Sequence, residues 1–491
     1  MNAPPNPAST RIARYRNLIG DAWSPARSGE TLPMVDPSTG AIFAEIPASG
    51  AVEIDEAVKA ARKAFDEGPW GRMPAFERGR LLMKLAQAIL AHGDELAALE
   101  SRDCGKPTRQ ARADVSATAR YFEFYGGAAD KLHGETIPYL AGMTVLALRE
   151  PLGVTAHIIP WNYPMQIFGR SVGASLAAGN ACVVKPAEEA CLSLLRIGEL
   201  ALEVGFPPGA LNIVTGLGET AGAALTAHPA IDFISFTGSP EVGTLVQQAA
   251  AKNHVGVTLE LGGKSPQMLF DDADLEAALP FAVNAIVQNA GQTCSACSRL
   301  LVHRPIYDRV MDQLAARFAA LKMGLAETDP DCGPLISARQ QGRVRDFLGE
   351  ADAAGLPVLA RASALPGTPD TGFFVPPTLL GPVPADAQIA REEVFGPVLS
   401  AIPFADEAEA IRLANGTDYG LVAALWTRDG GRQMRIARAM RCGQVFVNGF
   451  GAGGGIELPF GGVKKSGHGR EKGFEALNEF TATKTIVLNH G

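Results

Sequence analysis

Residues 154–186 read VTAHIIPWNYPMQIFGRSVGASLAAGNACVVKP, and the texture of this stretch decides the fold. Two short apolar runs, VTAHIIP and ACVVKP, bracket a segment of helix length. Uninterrupted apolar runs of strand length suit strands buried on both faces, joined by a crossover helix. The pattern continues with ALNIVTG (210–216), DFISFTGS (232–239) and VTLELGG (257–263). Strand–helix–strand at this pitch predicts a parallel sheet with helices on its faces, an α/β fold. Such sheets bind ligands at the carboxyl ends of their strands. Asn162, Lys185, Glu188, Ser239 and Glu260 all stand at or just beyond those ends.

Upstream, residues 50–127 read as helices: Ile54, Val58, Ala61 and Phe65 recur at helical spacing, as do Leu82, Leu85, Ile89 and Leu90. Residues 131–151, KLHGETIPYLAGMTVLALREP, carry β-prone pieces around a Gly turn, consistent with a projecting hairpin. Downstream, a second α/β pattern runs from about 265 to 447, with FAVNAIVQNA (281–290) helix-like and RLLVH (299–303) strand-like. SALPGTPDTG (363–372) looks like a surface loop, and TATKTIVLN (481–489) like a last strand. The tract GAGGG (451–455) is the one low-complexity segment.

The 491-residue length implies two to four domains. With 47% hydrophobic and 20% charged residues, the composition is that of a soluble globular protein. A formal net charge of −8 and no basic run argue against nucleic acid or an anionic membrane as partner. Every longer apolar run is broken by Gly, Asn or Lys before membrane-spanning length. Arg11, Arg14 and Arg16 precede the first acidic residue, Asp21. The Pro-rich character of that segment favours a solvated arm over a transit peptide. Seven scattered cysteines do not form a disulfide framework and fit a reducing cytosol.

Several motifs carry chemistry. Gly216, Gly218 and Gly222 follow a strand, but at GxGxxxG spacing rather than GxGxxG, so a dinucleotide turn and a plain turn both remain open. Ser239 sits as a helix N-cap in FTGSPEVG, where a phosphate could rest on exposed N–H groups. Lys185 and Glu188 could bond ribose hydroxyls, and the acid would repel a 2′-phosphate, favouring NAD over NADP.

In NAGQTCSACSR (289–299), Cys294 and Cys297 admit four readings: metal clip, dithiol, buried structural pair, or a nucleophile with a bystander. Zinc wants about four ligands, and no His pair lies nearby, so no metal is expected. The nucleophile reading leads, because an activated thiolate attacks carbonyl carbon readily. That chemistry needs an oxyanion donor and, where water finishes the reaction, a base. Asn162, flanked by prolines, offers the donor. Glu260, in an apolar strand, offers a base whose pKa burial would raise, although a salt-bridge role stays open.

PWNYP, KPAE, FTGSPEVG, LELGGKSP, GQTCSACSR, EEVFGP, ANGTDYGL and PFGGVKKSG occur in the order and spacing seen in aldehyde dehydrogenases. The chain resembles that superfamily from about residue 16 to its C-terminus. The resemblance implies a Rossmann-like NAD-binding domain (1–128 and 150–261), a second α/β catalytic domain (262–473) and a β-hairpin oligomerisation arm (129–149 and 474–491). The C-terminal strand of that arm would complete a neighbour's sheet, in a homodimer or homotetramer. It further implies Cys294 as nucleophile, Asn162 with the Cys294 N–H as oxyanion hole, and Glu260 as base for the deacylating water. Coenzyme A-acylating relatives generally lack that Glu, so hydrolysis to the acid is expected. Trp161, Lys185, Glu188, Gly218, Ser239, Glu393 and Phe395 correspond to cofactor contacts. Tyr163, Ile167, Arg170, Phe450 and Phe460 correspond to a substrate tunnel.

Arg170 falls where succinate-semialdehyde dehydrogenases grip a distal carboxylate, but Gln288 replaces their second Arg. The substrate class is therefore an aliphatic or aromatic aldehyde, or a semialdehyde held by Arg170. The competing readings are a non-catalytic relative kept for binding and a thiol redox protein.

Overall fold

The computed structural model describes residues 12–450 and 455–491. Arg11, the arm before it and residues 451–454 of the GAGGG tract lie outside the described residues.

After five short strands between residues 13 and 47 come four helices: α1 (Ala51–Asp66), α2 (Ala75–Ala91), α3 (Gly93–Cys104) and α4 (Thr108–Ala128). Ile54, Val58, Ala61, Leu82, Leu85 and Ile89 are fully buried, as their spacing requires. Leu90 is the exception at 49% exposure: one residue past Ile89 is a 100° turn of the helix, which carries it off the buried face.

The alternating region folds as expected. It comprises β1 (Met143–Pro151), β2 (Val154–Ile159), α5 (Pro164–Ala178), β3 (Ala181–Pro186), α6 (Leu192–Glu203), β4 (Leu211–Ile213), β5 (Phe233–Thr237), α7 (Pro240–Lys252) and β6 (Gly256–Glu260). Five of these strands lie parallel in the order β6-β5-β2-β3-β4, within an eight-stranded sheet edged by antiparallel strands. The chain steps from β2 to β3 and β4 on one side, then returns to β5 and β6 on the other. That reversal opens a crevice at the carboxyl ends of β2 and β5, the place where a doubly wound sheet takes its ligand. Helix α5 packs closely on α4 because Gly169 and Gly173 face it; a Cβ at either would stand 3.1 Å from Tyr121 or Tyr125.

The second sheet carries β7 (Pro266–Leu269), β8 (Arg299–His303), β9 (Thr378–Leu380), β10 (Val398–Phe404), β11 (Val422–Trp426) and β12 (Gln444–Val447). These six are parallel in the order β9-β10-β8-β7-β11-β12, with antiparallel Val358–Arg361 beyond β9. Separate apolar clusters pack around it, one holding Met268, Leu301 and Leu425 and the other Leu269, Leu300 and Val302: alternate residues on the same strands face opposite sides.

Three expectations need correction. The helix expected through 281–290 is Leu275–Val287, followed by Asn289 and Ala290 at φ of 48° and 52°. The chain breaks there so that the Asn289 amide can donate to the carbonyls of Asn162 and Gln292. The boundary at 473 also moves. Gly467–His468 pairs antiparallel with β6, and Ala476, Leu477 and Phe480 lie in the core of the first sheet, so the chain has rejoined that sheet before 473. Finally, the loop at 363–372 begins with Ser363–Ala364 paired to Lys322–Met323.

The last strand, β13 (Thr481–Asn489), pairs antiparallel with β1 of its own chain along all nine residues, and Glu135–Ile137 lies on the far side of β1. The hairpin tip exposes Ile137, Tyr139 and Leu140.

Candidate active site

The turn after β2, Pro160–Pro164, is stiffened at both ends, and Pro164 at the first turn of α5 starts the helix without needing its missing N–H. It projects Asn162 into the space between the two sheets, 5% exposed. Asn162 Nδ2 donates to the Gln292 carbonyl at 3.0 Å, which fixes the amide and leaves its second hydrogen for another acceptor. Across that gap lies the loop that follows α8 (Leu275–Val287), carrying Cys294. The cysteine is half-buried and packs against Leu421 and Phe460. Gly263 lets the backbone come close: a Cβ there would stand 2.5 Å from the Cys294 carbonyl oxygen.

One pocket, of about 590 Å³ with its mouth included, gathers most of the expected residues: Asn162, Tyr163, Ile167, Arg170, Cys294, Phe450 and Phe460 all line it. Its walls are mostly apolar or aromatic, as in small-molecule sites.

Glu260 ends β6 behind this pocket, 2% exposed, and among the described residues neither of its oxygens has a hydrogen-bond partner. A Cβ at Gly461 would stand 2.8 Å from Oε1, so glycine makes the room. Burial first, then the charge of Glu471, push the Glu260 carboxyl up to about 8, against the opposing pull of Arg170, Arg470 and Lys472. Burial also pushes the Cys294 thiol up to about 12, which Arg170 opposes and Glu260 and Glu393 reinforce. Cys297 is a different sulfur: fully buried among Ala285 and Ala424, with its thiol donating to the Pro266 carbonyl at 3.6 Å.

Arg170 does not offer a free cation to the tunnel. It is 6% exposed, ion-paired through Nε to Glu471, bonded to Thr237 Oγ1 at 3.2 Å, and lies 5.3 Å over the Phe460 ring. The pair is close without hydrogen-bond alignment at Nε, so its attraction is that of adjacent charges. The Arg170–Glu471 pair as a whole carries no net charge, which leaves little attraction for a distal carboxylate.

The cofactor candidates line the crevice beside β2 and β5. Lys185 Nζ donates to Glu188 at 2.7 Å. Ser239 caps α7, accepting from Val242 N at 3.3 Å. Val242 and Leu245 in the first turns of this helix, and Leu217 in the loop after β4, are exposed apolar side chains, and the first N–H groups of α7 suit an anion. Gly218 begins a wide helical turn over open space; Gly216, at φ 153°, is glycine because a Cβ would strike the Ser49 carbonyl at 2.6 Å. The GxGxxxG run is thus explained by packing at Gly216 and makes no tight phosphate loop. Glu393 Oε1 accepts from Gly263 N at 2.9 Å, and burial pushes it up to about 7. Phe395, at φ 57°, stands edge-on to Trp161 with ring centres 5.3 Å apart. The residues fit a dinucleotide: exposed apolar side chains, an amine–acid pair able to bond hydroxyls, a helix N-terminus, and a second acid, Glu393, against the Gly263 backbone.

Sequence reading missed two groups of residues. Glu471 and Lys472, in GREKG, look like surface charges but are 1% and 2% exposed. The Lys472 amine lines the pocket, 4.8 Å over Phe460, and burial beside Arg170 pushes it down to about 7. The second group is Lys106, which is ion-paired to Glu100 and Asp114 and lies 4.1 Å over the Tyr163 ring; the Tyr163 hydroxyl meets Thr293 Oγ1 at 2.9 Å, next to the nucleophile. No periodicity in the sequence signals either cluster.

Residues 23–486 match the profile of the aldehyde dehydrogenase family. A protein from Burkholderia cenocepacia assigned to the aldehyde dehydrogenases is 63% identical, with a TM-score of 0.96 over 97% of this chain and 100% of that one. The NAD+ complex of an aldehyde dehydrogenase from Bacillus cereus is 39% identical, with a TM-score of 0.95 and 100% of both chains covered. The hydroxyisobutyraldehyde dehydrogenase of Mycolicibacterium austroafricanum is 42% identical over 98% of this chain and 95% of that protein.

Proposed function

Because the chain belongs to the aldehyde dehydrogenase family, whose members oxidise an aldehyde to the acid through a cysteine and NAD, we propose that Cys294, Asn162 and Glu260 perform that reaction here. Cys294 attacks as the thiolate, its proton released to solvent, and forms a C–S bond to the aldehyde carbon. The free N–H of Asn162 Nδ2 holds the oxyanion that develops. Bound NAD supplies the acceptor for the hydride that leaves this carbon, converting it to a thioester. Water then gives a proton to Glu260 and attacks; the C–S bond breaks, releasing the acid. The observation that carries this reading is Glu260 itself. A buried carboxyl beside a cysteine, with no hydrogen-bond partner among the described residues and a pKa raised to about 8, is tuned for proton transfer rather than for an ion pair.

The Lys185–Glu188 pair supports NAD over NADP, since an acid facing the ribose disfavours an added phosphate. For the substrate, the walls formed by Ile167, Phe450 and Phe460, with Arg170 neutralised by Glu471, support an uncharged aliphatic or aromatic aldehyde over a semialdehyde. The exposed apolar hairpin tip and the open edge of β12 support a homodimer or homotetramer built through the arm. Seven unpaired thiols support a cytosolic setting.

The test is a panel of aldehydes assayed with each cofactor. The expected result is a kcat/KM for hexanal or benzaldehyde at least tenfold above that for succinate semialdehyde, and NAD preferred to NADP. Equal or reversed preference for succinate semialdehyde refutes the substrate reading.

A further inference from the structure

Five hydroxyl and imidazole groups run through the core of the first sheet, end to end, and finish on Glu471. Ser175 and Thr155 hydroxyls meet at 2.8 Å, Thr155 Oγ1 and His157 Nε2 at 2.9 Å, and His157 Nδ1 and Ser171 Oγ at 2.5 Å. Ser171 Oγ and Ser235 Oγ meet at 3.1 Å, and the Ser235 hydroxyl donates to Glu471 Oε1 at 3.0 Å. The spacing is built into the elements. Thr155 and His157 are i, i+2 on β2 and share a face; Ser171 and Ser175 are i, i+4 on α5; Ser235 lies on β5, beside β2. Every member is 2% exposed or less.

The chemistry of the end group fixes the direction of every proton. A carboxylate only accepts, so Ser235 donates to Glu471 and must itself accept from Ser171. Ser171 then accepts from His157, which puts the imidazole proton on Nδ1. The bare Nε2 accepts from Thr155, and Thr155 accepts from Ser175. The ring is neutral throughout, since burial pushes it down to about 3. All five donors therefore point towards one carboxylate, whose other oxygen faces Arg170. Polarised chains of this kind strengthen their terminal bond and fix its geometry.

We infer that Ser171 and His157 are positioning residues: through Ser235 they hold the Glu471 carboxylate in place against Arg170, and so fix the surroundings in which the base Glu260 works. This rests on Glu260 being the base of the reaction. The ionisable groups around Glu260 are Glu471, Arg170, Arg470, Lys472 and Cys294; those around Glu471 also include Tyr121 and Tyr125. Of these, Glu471 is what most raises the Glu260 carboxyl after burial. With the chain cut, the Glu471 carboxylate is free to turn away from its place near Glu260, and Arg170 is left partly uncompensated. Both changes favour ionised Glu260.

The test is the rate of thioester hydrolysis at pH 7 and pH 9 in the wild type, Ser171→Ala and Ser171→Thr. A carboxyl near 8 gives a ratio of about ten between the two pH values; lowering it by about one unit reduces that ratio to about two. The expected result is the smaller ratio in Ser171→Ala and recovery of the larger one in Ser171→Thr, which keeps the hydroxyl. A purely structural role would lower both rates and leave the ratio unchanged, and that result overturns the inference. A wild-type ratio near one overturns the base reading and this inference together. If Ser171→Ala does not fold, Ser235→Ala cuts the same chain one link nearer Glu471, with the same two outcomes.

Discussion

The deacylation step should follow the ionisation of one buried carboxyl. Glu260 lies behind Cys294, neither oxygen has a hydrogen-bond partner among the described residues, and burial with Glu471 pushes it up to about 8. A raised carboxyl is protonated, and useless as a base, below that value; it becomes competent above it. At pH 7 about one-tenth of the molecules carry the ionised form, at pH 8 about half, and at pH 9 about nine-tenths. Hydrolysis of the thioester should therefore rise about tenfold from pH 7 to pH 9 and then level off. Overall turnover is a poor probe, because the Cys294 thiol, pushed to about 12, makes its own formation of the thioester pH-dependent. The assay must isolate the second half of the reaction. The thioester is formed with limiting aldehyde and NAD, the pH is jumped, and the surviving adduct is counted by mass after acid quench. Glu260→Gln should remove the limb and slow hydrolysis at pH 9 by about 10²–10⁴. A wild-type rate that is flat between pH 7 and 9, or the same limb in Glu260→Gln, refutes the reasoning.

Other consequences are as direct. Asn162→Ala removes the only side-chain donor assigned to the oxyanion and should cost about 10²–10³ in kcat, with NAD affinity unchanged by calorimetry. Lys106→Met leaves Glu100 and Asp114 buried without their cation and should destabilise the fold by about 3–5 kcal/mol in urea melts. Gly263→Ala drives a Cβ to 2.5 Å from the Cys294 carbonyl, so the nucleophile loop must shift; kcat should fall by more than tenfold while the far-ultraviolet spectrum stays unchanged.

What the sequence disclosed follows from what periodicity can encode. The five parallel strands of the first sheet announced themselves because strands buried on both faces must be apolar throughout, and the second parallel sheet shows the same texture in RLLVH. Glu260 was legible because it ends such a strand and Asn162 because it stands three residues beyond another, and Cys294 because the likeness of its motif to a known family chose among four readings of the thiol. Arg170 was legible as a pocket residue but not as a neutralised one. Its partner, Glu471, lies 301 positions along the chain, in a segment that returns to β6 only through the short pairing at Gly467–His468. The same return path hid Lys472 and blurred the domain boundary near 473. Likewise the polar chain through His157 is written across β2, α5 and β5, and only the sheet order brings the three together. Leu90 and the break at Asn289 show the limit of local pattern: one step around the helix carries an apolar residue off the buried face, and one required hydrogen bond ends a helix early.

The most direct test concerns the sulfur. Glu260→Gln, mixed with NAD and one equivalent of benzaldehyde and quenched in acid, should yield a chain heavier by the aldehyde less two hydrogens. Peptide mapping should place that mass on Cys294. An unmodified chain that has nonetheless produced NADH, or an adduct on Cys297 instead, contradicts the account.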